Sequence, residues 1–424
     1  VAYTGLARIS IANNDYDIAK EYLQKGVDIN AKYLGNYILL AGIANKQNNK
    51  QEAEKYLLIA YDIAESLSEK IEAGRVLSVF YTRQSKPEKA LDLAEKIRKE
   101  YPKENEADSF YVIALITNNR NSEAENVLKK IISLDKHNVK DRLILASLLS
   151  EKDDEMQVAL DLTGQVLSIQ SDNFQALFLT VKILTRLGRY EEGLDAVKRV
   201  EAAEPNNALA DKLAAKIYLV QKKYDKATNA YKEAFKKEPN NPTLLSVANL
   251  LDKQGKAEEA IRFINSSISN KSDNIGPNFK LATLYQKTGY LEKAKEYYKK
   301  VLDKQEKNIL ALNNLALLYV KSGPKKALGL AEKAYSINPE SAAIIDTYGY
   351  VLAHNDYLKK GFELVEKAMK ISPLDQGIKY HYAELMYLSG NEAGAVTILK
   401  EVLESELYFS ERKDAQFLLN RLTK

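Results

Sequence analysis

Histidine, cysteine and paired carboxylates are the side chains that most often carry chemistry, and this chain of 424 residues has three histidines and no cysteine. His137, His354 and His381 are too far apart in sequence for any two to share a helix face. Asp141 follows His137 by four residues and Glu384 follows His381 by three, spacings that put each pair on one side of a helix. A single histidine with a single carboxylate supplies too few ligands for a zinc site. His381, between Tyr380 and Tyr382, reads as a polar residue at a helix crossing, with proton transfer or a ligand role as the alternative. The lack of cysteine removes disulfides, thiolate metal sites and the thiol nucleophile. No glycine-rich phosphate loop, GxSxG elbow or HExxH is present. The expectation is a protein that is not an enzyme and uses no cofactor or metal.

The elements that must position any site are set by a period of about 34 residues. Small residues mark one position of each first helix at Ala215, Ala248, Ala282, Ala316, Gly349 and Ala383, in steps of 33, 34, 34, 33 and 34. A second small register follows twelve residues later at Ala227, Ala260, Ala294, Gly361 and Ala395, and at Ala327 in a unit one residue short. Antiparallel helices that cross closely need such residues, because a larger group holds the backbones apart at a cost of about 1–3 kcal/mol. Between the registers lie turns: Gly188-Arg189-Tyr190, Gly255-Lys256, Gly289-Tyr290, Gly323-Pro324 and Gly390-Asn391. Glycine there is expected to end the first helix in the left-handed conformation. Pro102, Pro205, Pro239, Pro339 and Pro373 stop the second helix. Each unit thus reads helix, tight turn, helix, stop.

These residues resemble the tetratricopeptide (TPR) repeat. The unit opening at Ala208 carries Ala215, Tyr218, Tyr224, Ala227, Tyr231, Ala234 and Pro239; the one at Ile275 carries Leu281, Ala282, Tyr285, Gly289, Ala294 and Tyr298. Twelve units are read, beginning near residues 1, 34, 71, 107, 139, 174, 208, 241, 275, 309, 342 and 376. Residues 1–170 hold about five divergent repeats, with intervals of 37, 36, 32 and 35 after the first; 171–407 hold about seven regular ones. Residues 408–424 form a capping helix, with Ala415, Leu418, Leu419 and Leu422 on one side. The resemblance implies an all-α, right-handed superhelical solenoid that binds other proteins.

Composition narrows the partners. Formal net charge is +4 with 28% charged residues, and the pI of about 8.6 lacks the basic excess of a general nucleic-acid binder. No apolar run is long enough to span a bilayer. The chain opens at Val1 inside a repeat pattern, so an N-terminal part is expected to precede it, a signal sequence among the candidates.

The resemblance places a binding surface on the concave face, at positions 2, 5, 9 and 12 or 13 of each first helix. Those positions give a central basic cluster of Phe178, Lys182, Arg186, Lys212 and Lys216, with lysines continuing at Lys253, Lys287 and Lys321. They also give a terminal cluster of Asp346, Tyr350, Tyr380, Glu384 and Tyr387. The first suits an acidic peptide or an anionic polysaccharide, against the alternative of ordinary solvated lysines. The second suits peptide or sugar rings, against aromatic packing on the capping helix. The carboxylate clamp of chaperone-type TPR proteins is unmatched, since its pairs read Lys212 with Lys216 and Leu245 with Asn249. Asn314 alone fits the asparagine ladder of glycosyltransferase-associated TPR proteins.

The segments Asp346-Thr347-Tyr348-Gly349-Tyr350 and Tyr380-His381-Tyr382-Ala383 resemble the paired ends of bacterial envelope TPR proteins. The similarity is greatest to the TPR lipoprotein of the PEP-CTERM/exosortase system, whose lipoprotein cysteine has no counterpart here. It implies a scaffold that is periplasmic or associated with the outer membrane, in exopolysaccharide assembly or export or in protein sorting. A cytoplasmic adaptor, or the accessory segment of an enzyme whose catalytic domain lies outside these residues, are the alternatives.

Overall fold

The computed structural model describes residues 2–268, 274–320, 322–405, 407 and 409–423, and among these every regular element is a helix. The chain divides into two compact units, Val1–Pro205 and Asn206–Lys424. Each is a stack of helical hairpins.

In unit 1 the hairpins are α1 (Ala2–Ala12) with α2 (Tyr16–Ile29), α3 (Leu34–Lys46) with α4 (Lys50–Ile63), and α5 (Leu67–Arg83) with α6 (Pro87–Glu100). They continue as α7 (Asn105–Thr117) with α8 (Asn121–Leu134), α9 (Val139–Leu149) with α10 (Met156–Ile169), and α11 (Phe174–Arg186) with α12 (Tyr190–Ala203). Unit 2 begins with α13 (Leu209–Val220) and α14 (Tyr224–Lys237), α15 (Asn241–Lys253) and α16 (Ala257–Ser267), and α17 (Ile275–Lys287) and α18 (Leu291–Lys304). Next come α19 (Ile309–Tyr319) with α20 (Pro324–Ile337), α21 (Ala342–Ala353) with α22 (Leu358–Ile371), and α23 (Gln376–Leu388) with α24 (Glu392–Glu404). A last helix, α25 (Arg412–Leu422), packs on α24.

One hairpin shows why these residues fold this way. In α18, Ala294, Tyr298 and Val301 recur at helical spacing and are fully buried, while lysines and glutamates cover the other sides. Gly289 takes a φ of +83° to leave α17, and the Asn308 side chain accepts from the Ala311 amide to open α19. The small registers sit at the crossings: Ala215, Ala248, Ala282, Ala316 and Ala383 are fully buried, as are Ala227, Ala260, Ala294, Ala327 and Ala395. Ala282→Phe is therefore expected to cost about 1–3 kcal/mol by overpacking. Circular dichroism melting would register it, and an unchanged melt would contradict a close crossing of α17 and α18.

Three departures from the sequence reading have local causes. The third hairpin begins at Leu67, four residues before position 71, because Ser66 and Glu69 form a reciprocal capping box that adds a turn to α5. The fourth begins at Asn105, two residues before position 107. Gly323 does not take the left-handed conformation; its φ is −169°, and it caps α20 just ahead of Pro324. The left-handed turn residue is glycine at Gly188, Gly255, Gly289 and Gly390, and its place is taken by Asn14, Asn48, Ser85, Asn119, Lys222 and Asp356 in six other hairpins; the α9–α10 turn has no such residue.

The capping helix starts at Arg412, two residues after Ser410. Ala415 and Leu418 bury against Tyr380, Leu399, Val402 and Phe409. The Arg412 guanidinium donates to the carbonyls of Leu403 (2.6 Å) and Ser405 (2.7 Å), which closes the end of α24.

Candidate functional site

A groove of about 1210 Å³ lies within unit 1, lined by one side of α5 and α7 and by the start of α9. Its apolar surface comes from Ile71, Val76, Val79, Phe110 and Ile113. Val79 and Ile113 are 46% and 44% exposed, large apolar groups left in solvent at mid-helix. Charge is distributed along it by helix register. Glu72, Glu106, Asp135 and Asp141 come from the N-terminal ends of their helices or the residues leading into them, joined there by Lys140, whereas Arg83 comes from the last turn of α5 and Arg75 from its middle.

Asp141 is the unusual member. It is 1% exposed. Its Oδ2 accepts from the Ser109 hydroxyl (2.6 Å) and from Asn138 Nδ2 (2.9 Å), while the Asn138 side chain in turn caps α9 by accepting from the Asp141 amide. Its other oxygen, Oδ1, is buried with no donor, and so is the hydroxyl of Ser78 on α5. Unsatisfied buried acceptors cost about 1–3 kcal/mol each, so both atoms are left wanting a partner in a surface that is open to receive one. His137, four residues from Asp141 in sequence, is exposed; among the described residues no group of three metal-ligating side chains assembles.

The terminal cluster is brought together, but as packing. His381 Nδ1 lies 2.7 Å from Asp346 Oδ2, with the two residues 4% exposed each. The Tyr350 ring stacks on the imidazole at 3.8 Å between centroids and an interplanar angle of 19°. Tyr350 donates to Glu384 Oε2 at 2.8 Å. His354 Nε2 is 3.6 Å from Glu384 Oε1, and its Nδ1 bonds the Tyr350 carbonyl at 3.0 Å; a carbonyl only accepts, so that nitrogen carries the proton. Tyr350 and Tyr380 are 5% and 3% exposed, and Tyr380 belongs to the cluster that buries Ala415 and Leu418 of α25. Asp346, Tyr350 and Tyr380 are thus inside the molecule and offer no docking area, because α23 and α25 cover them. Glu384 and Tyr387 are half-buried, Tyr387 under the Arg421 guanidinium at 5.6 Å.

Electrostatics within this cluster follow from burial and partners. Burial alone would lower His381, but the Asp346 carboxylate outweighs it and holds the imidazole at about 9. Burial raises Asp346 against the pull of His381, so the pair as a unit holds its protons tightly. Burial would also raise Glu384, yet hydrogen bonds from His354, Tyr380 and Tyr350 hold it at about 2. Asp346 and His381 are closed off from solvent, while Glu384 and His354 are partly exposed. Their effect is to tie α21 to α23, the first helices of neighbouring hairpins.

The basic residues expected at the centre fall in different units and are described within each. In unit 1, Phe178 is half-buried on α11. Lys182 pairs with Glu151 at 2.5 Å, and Arg186 with Asp153 at 2.8 Å while it also donates to the Ser150 carbonyl. In unit 2, Lys212 pairs with Glu238 at 2.6 Å and Lys287 with Asp252 at 2.6 Å, and Lys253 lies over the Tyr224 ring at 4.6 Å. Lys216 is exposed; Lys321 lies outside the described residues. Acids and rings of the adjoining helices and turns therefore take up most of this positive charge.

Stacked two-helix units with a side-chain-lined groove define a repeat solenoid of the kind that holds other proteins. The family described as tetratricopeptide repeat matches residues 1–33 and 277–308 under one profile and 178–242 under another; the chain carries tetratricopeptide repeats. No curated protein matches it in sequence. Among solved structures it is similar to a chain of the APC/C hetero-tetramer Cut9-Hcn1, at 16% identity and a TM-score of 0.42 over 99% of this chain and 95% of that one. It is also similar to a tetratricopeptide repeat protein from Parabacteroides merdae, at 22% identity and a TM-score of 0.42 over 51% of this chain and 89% of that one. Yeast Tom70 aligns at 14% identity and a TM-score of 0.37 over 100% of this chain and 95% of its own.

Proposed function

We propose that the chain is a noncatalytic TPR scaffold that holds a protein partner in the groove of α5, α7 and α9, and that it serves a bacterial cell-envelope pathway for exopolysaccharide assembly or export or for protein sorting. The observation that carries the binding reading is the groove itself. Val79 and Ile113 stand exposed at its centre, and among the described residues the arginines Arg75 and Arg83 that line it make no ion pair. Apolar area beside uncommitted charge is what a partner segment would bury and neutralise. Support for the envelope half is the resemblance of the segments around Asp346 and His381 to bacterial envelope TPR proteins.

Affinity capture from an envelope extract of the source bacterium, with the parent chain beside a folded Val79→Glu/Ile113→Glu variant, tests this reading. Secretion or polysaccharide-assembly proteins recovered by the parent and lost by the variant are expected. Equal recovery by both removes the groove from the function, and recovery of cytoplasmic proteins alone removes the envelope.

A further inference from the structure

Four acidic side chains are buried among the described residues, and three of them face a cation. Asp108 has Arg98 at 2.6 Å, Glu125 has Lys152 at 2.7 Å, and Asp346 has His381 at 2.7 Å. Asp141, at 1% exposure, has none; two neutral donors serve one of its oxygens and the other is unsatisfied. A buried carboxylate without a counter-ion is costly unless something outside the chain supplies one. Asp141 is also the one of the four that lines the groove.

From this we infer that the groove of unit 1 recognises a peptide segment that carries a lysine or arginine, whose charged head docks at Asp141. The inference rests on the scaffold reading and names the chemistry of its partner. Glu72 and Glu106, exposed at the same end and without ion pairs among the described residues, extend the acidic patch, which outweighs the single Lys140 there. Past the basic side chain, Val79, Phe110 and Ile113 offer apolar contact. Arg83, exposed in the last turn of α5 and without an ion pair among the described residues, then favours an acidic residue further along. The order basic, apolar, acidic is the charge complement of the groove read from the helix N-termini to their C-termini. The unpartnered Ser78 hydroxyl adds a hydrogen-bonding point along the path.

The test is selection of a displayed library of random twelve-residue peptides on the full chain, with Ile113→Glu as the blocked groove. A recovered peptide and its copy with lysine or arginine replaced by glutamine are then titrated against the parent chain, Asp141→Asn and Glu72→Gln/Glu106→Gln. Asparagine keeps an acceptor for Ser109 and Asn138, and matched melting curves confirm its fold; the double glutamine variant changes exposed side chains only. The expected result is a shared basic residue in peptides that Ile113→Glu rejects. Neutralising either that residue or Asp141 should weaken binding about 10- to 100-fold, and the double variant should weaken it by a smaller factor. Groove-dependent peptides without a basic residue, or with affinities that neither acidic variant changes, overturn the inference and leave the scaffold reading standing. Peptides that Ile113→Glu binds equally well, or no enrichment at all, overturn both.

Discussion

Replacing His381 by alanine is expected to cost the C-terminal hairpins about 3–5 kcal/mol, because it leaves the Asp346 carboxylate buried with no partner. Asp346 is 4% exposed and one of its oxygens already lacks a donor, so neither water nor a neighbour stands ready to compensate. The same substitution removes the ring on which Tyr350 stacks at 3.8 Å. Loss should be local in a stack of repeats, since each unit leans only on its neighbours. Hydrogen exchange over α21 to α25 should accelerate while unit 1 is unchanged. The parent chain should show a pH signature from the same pair. His381 is held at about 9 when folded, against 6.5 for the free side chain, so its contribution is complete below pH 6.5 and is lost as pH rises through 9. Glu384, held at about 2 against 4.5, contributes above pH 4.5 and ceases to do so as pH falls through 2. Melting of the C-terminal hairpins should therefore weaken between pH 6.5 and 9, and His381→Ala should abolish that slope. An alanine variant with unchanged exchange and an unchanged slope would show that the pair holds nothing.

Gly361→Ala is expected to destabilise by about 1–3 kcal/mol, against the usual direction of this change. Inside a helix, glycine to alanine ordinarily gains about 0.5–1 kcal/mol through backbone entropy. At Gly361 an added Cβ would lie 2.5 Å from the Gly349 carbonyl oxygen and 2.8 Å from the Ala353 Cβ, so α21 and α22 would have to move apart. Gly349 faces the reciprocal problem, with the Gly361 carbonyl oxygen and the Leu364 Cβ each at 2.8 Å. Gly329, inside α20, is the internal control: nothing lies within 4 Å of its Cβ position, and Gly329→Ala should stabilise. Chemical denaturation of both variants decides the matter, and a Gly361→Ala variant stabilised like Gly329→Ala would contradict a close crossing at Gly349 and Gly361.

The hairpins were readable in the sequence because their determinants are local or recur at a fixed period. Ala282 and Ala294 mark a crossing in any one unit, and the prolines at 102, 205, 239, 339 and 373 each fall two residues past the end of a second helix. The groove was not readable, and the reason is register. Counting the fourth repeat from 107 puts Tyr111 and Leu115 on the concave face, both of them buried in the structure; counting from the actual start at Asn105 puts Glu106, Ser109, Ile113 and Thr117 there. A two-residue offset in the start of this repeat thus hid Ile113, although an isoleucine and Val79 at like positions of consecutive first helices were signals available to a corrected count. Ion pairing was hidden for another reason. Glu151 and Asp153 lie 31 and 33 residues before the Lys182 and Arg186 they neutralise, about one repeat away, and a list of concave positions on first helices omits the turns that carry them. Asp346 and His381 appeared in the sequence only as members of two similar segments; their 2.7 Å contact comes from stacking one hairpin on the next.

The central claim is that the α5, α7 and α9 groove is where a partner sits. The most direct measurement places a photoreactive phenylalanine analogue at Ile113, and separately at the exposed Leu374 of unit 2 as a control, and irradiates the captured complex. Crosslinks to one partner from Ile113 and none from Leu374 are predicted. Crosslinks from Leu374 with Ile113 silent would contradict the groove as the binding site.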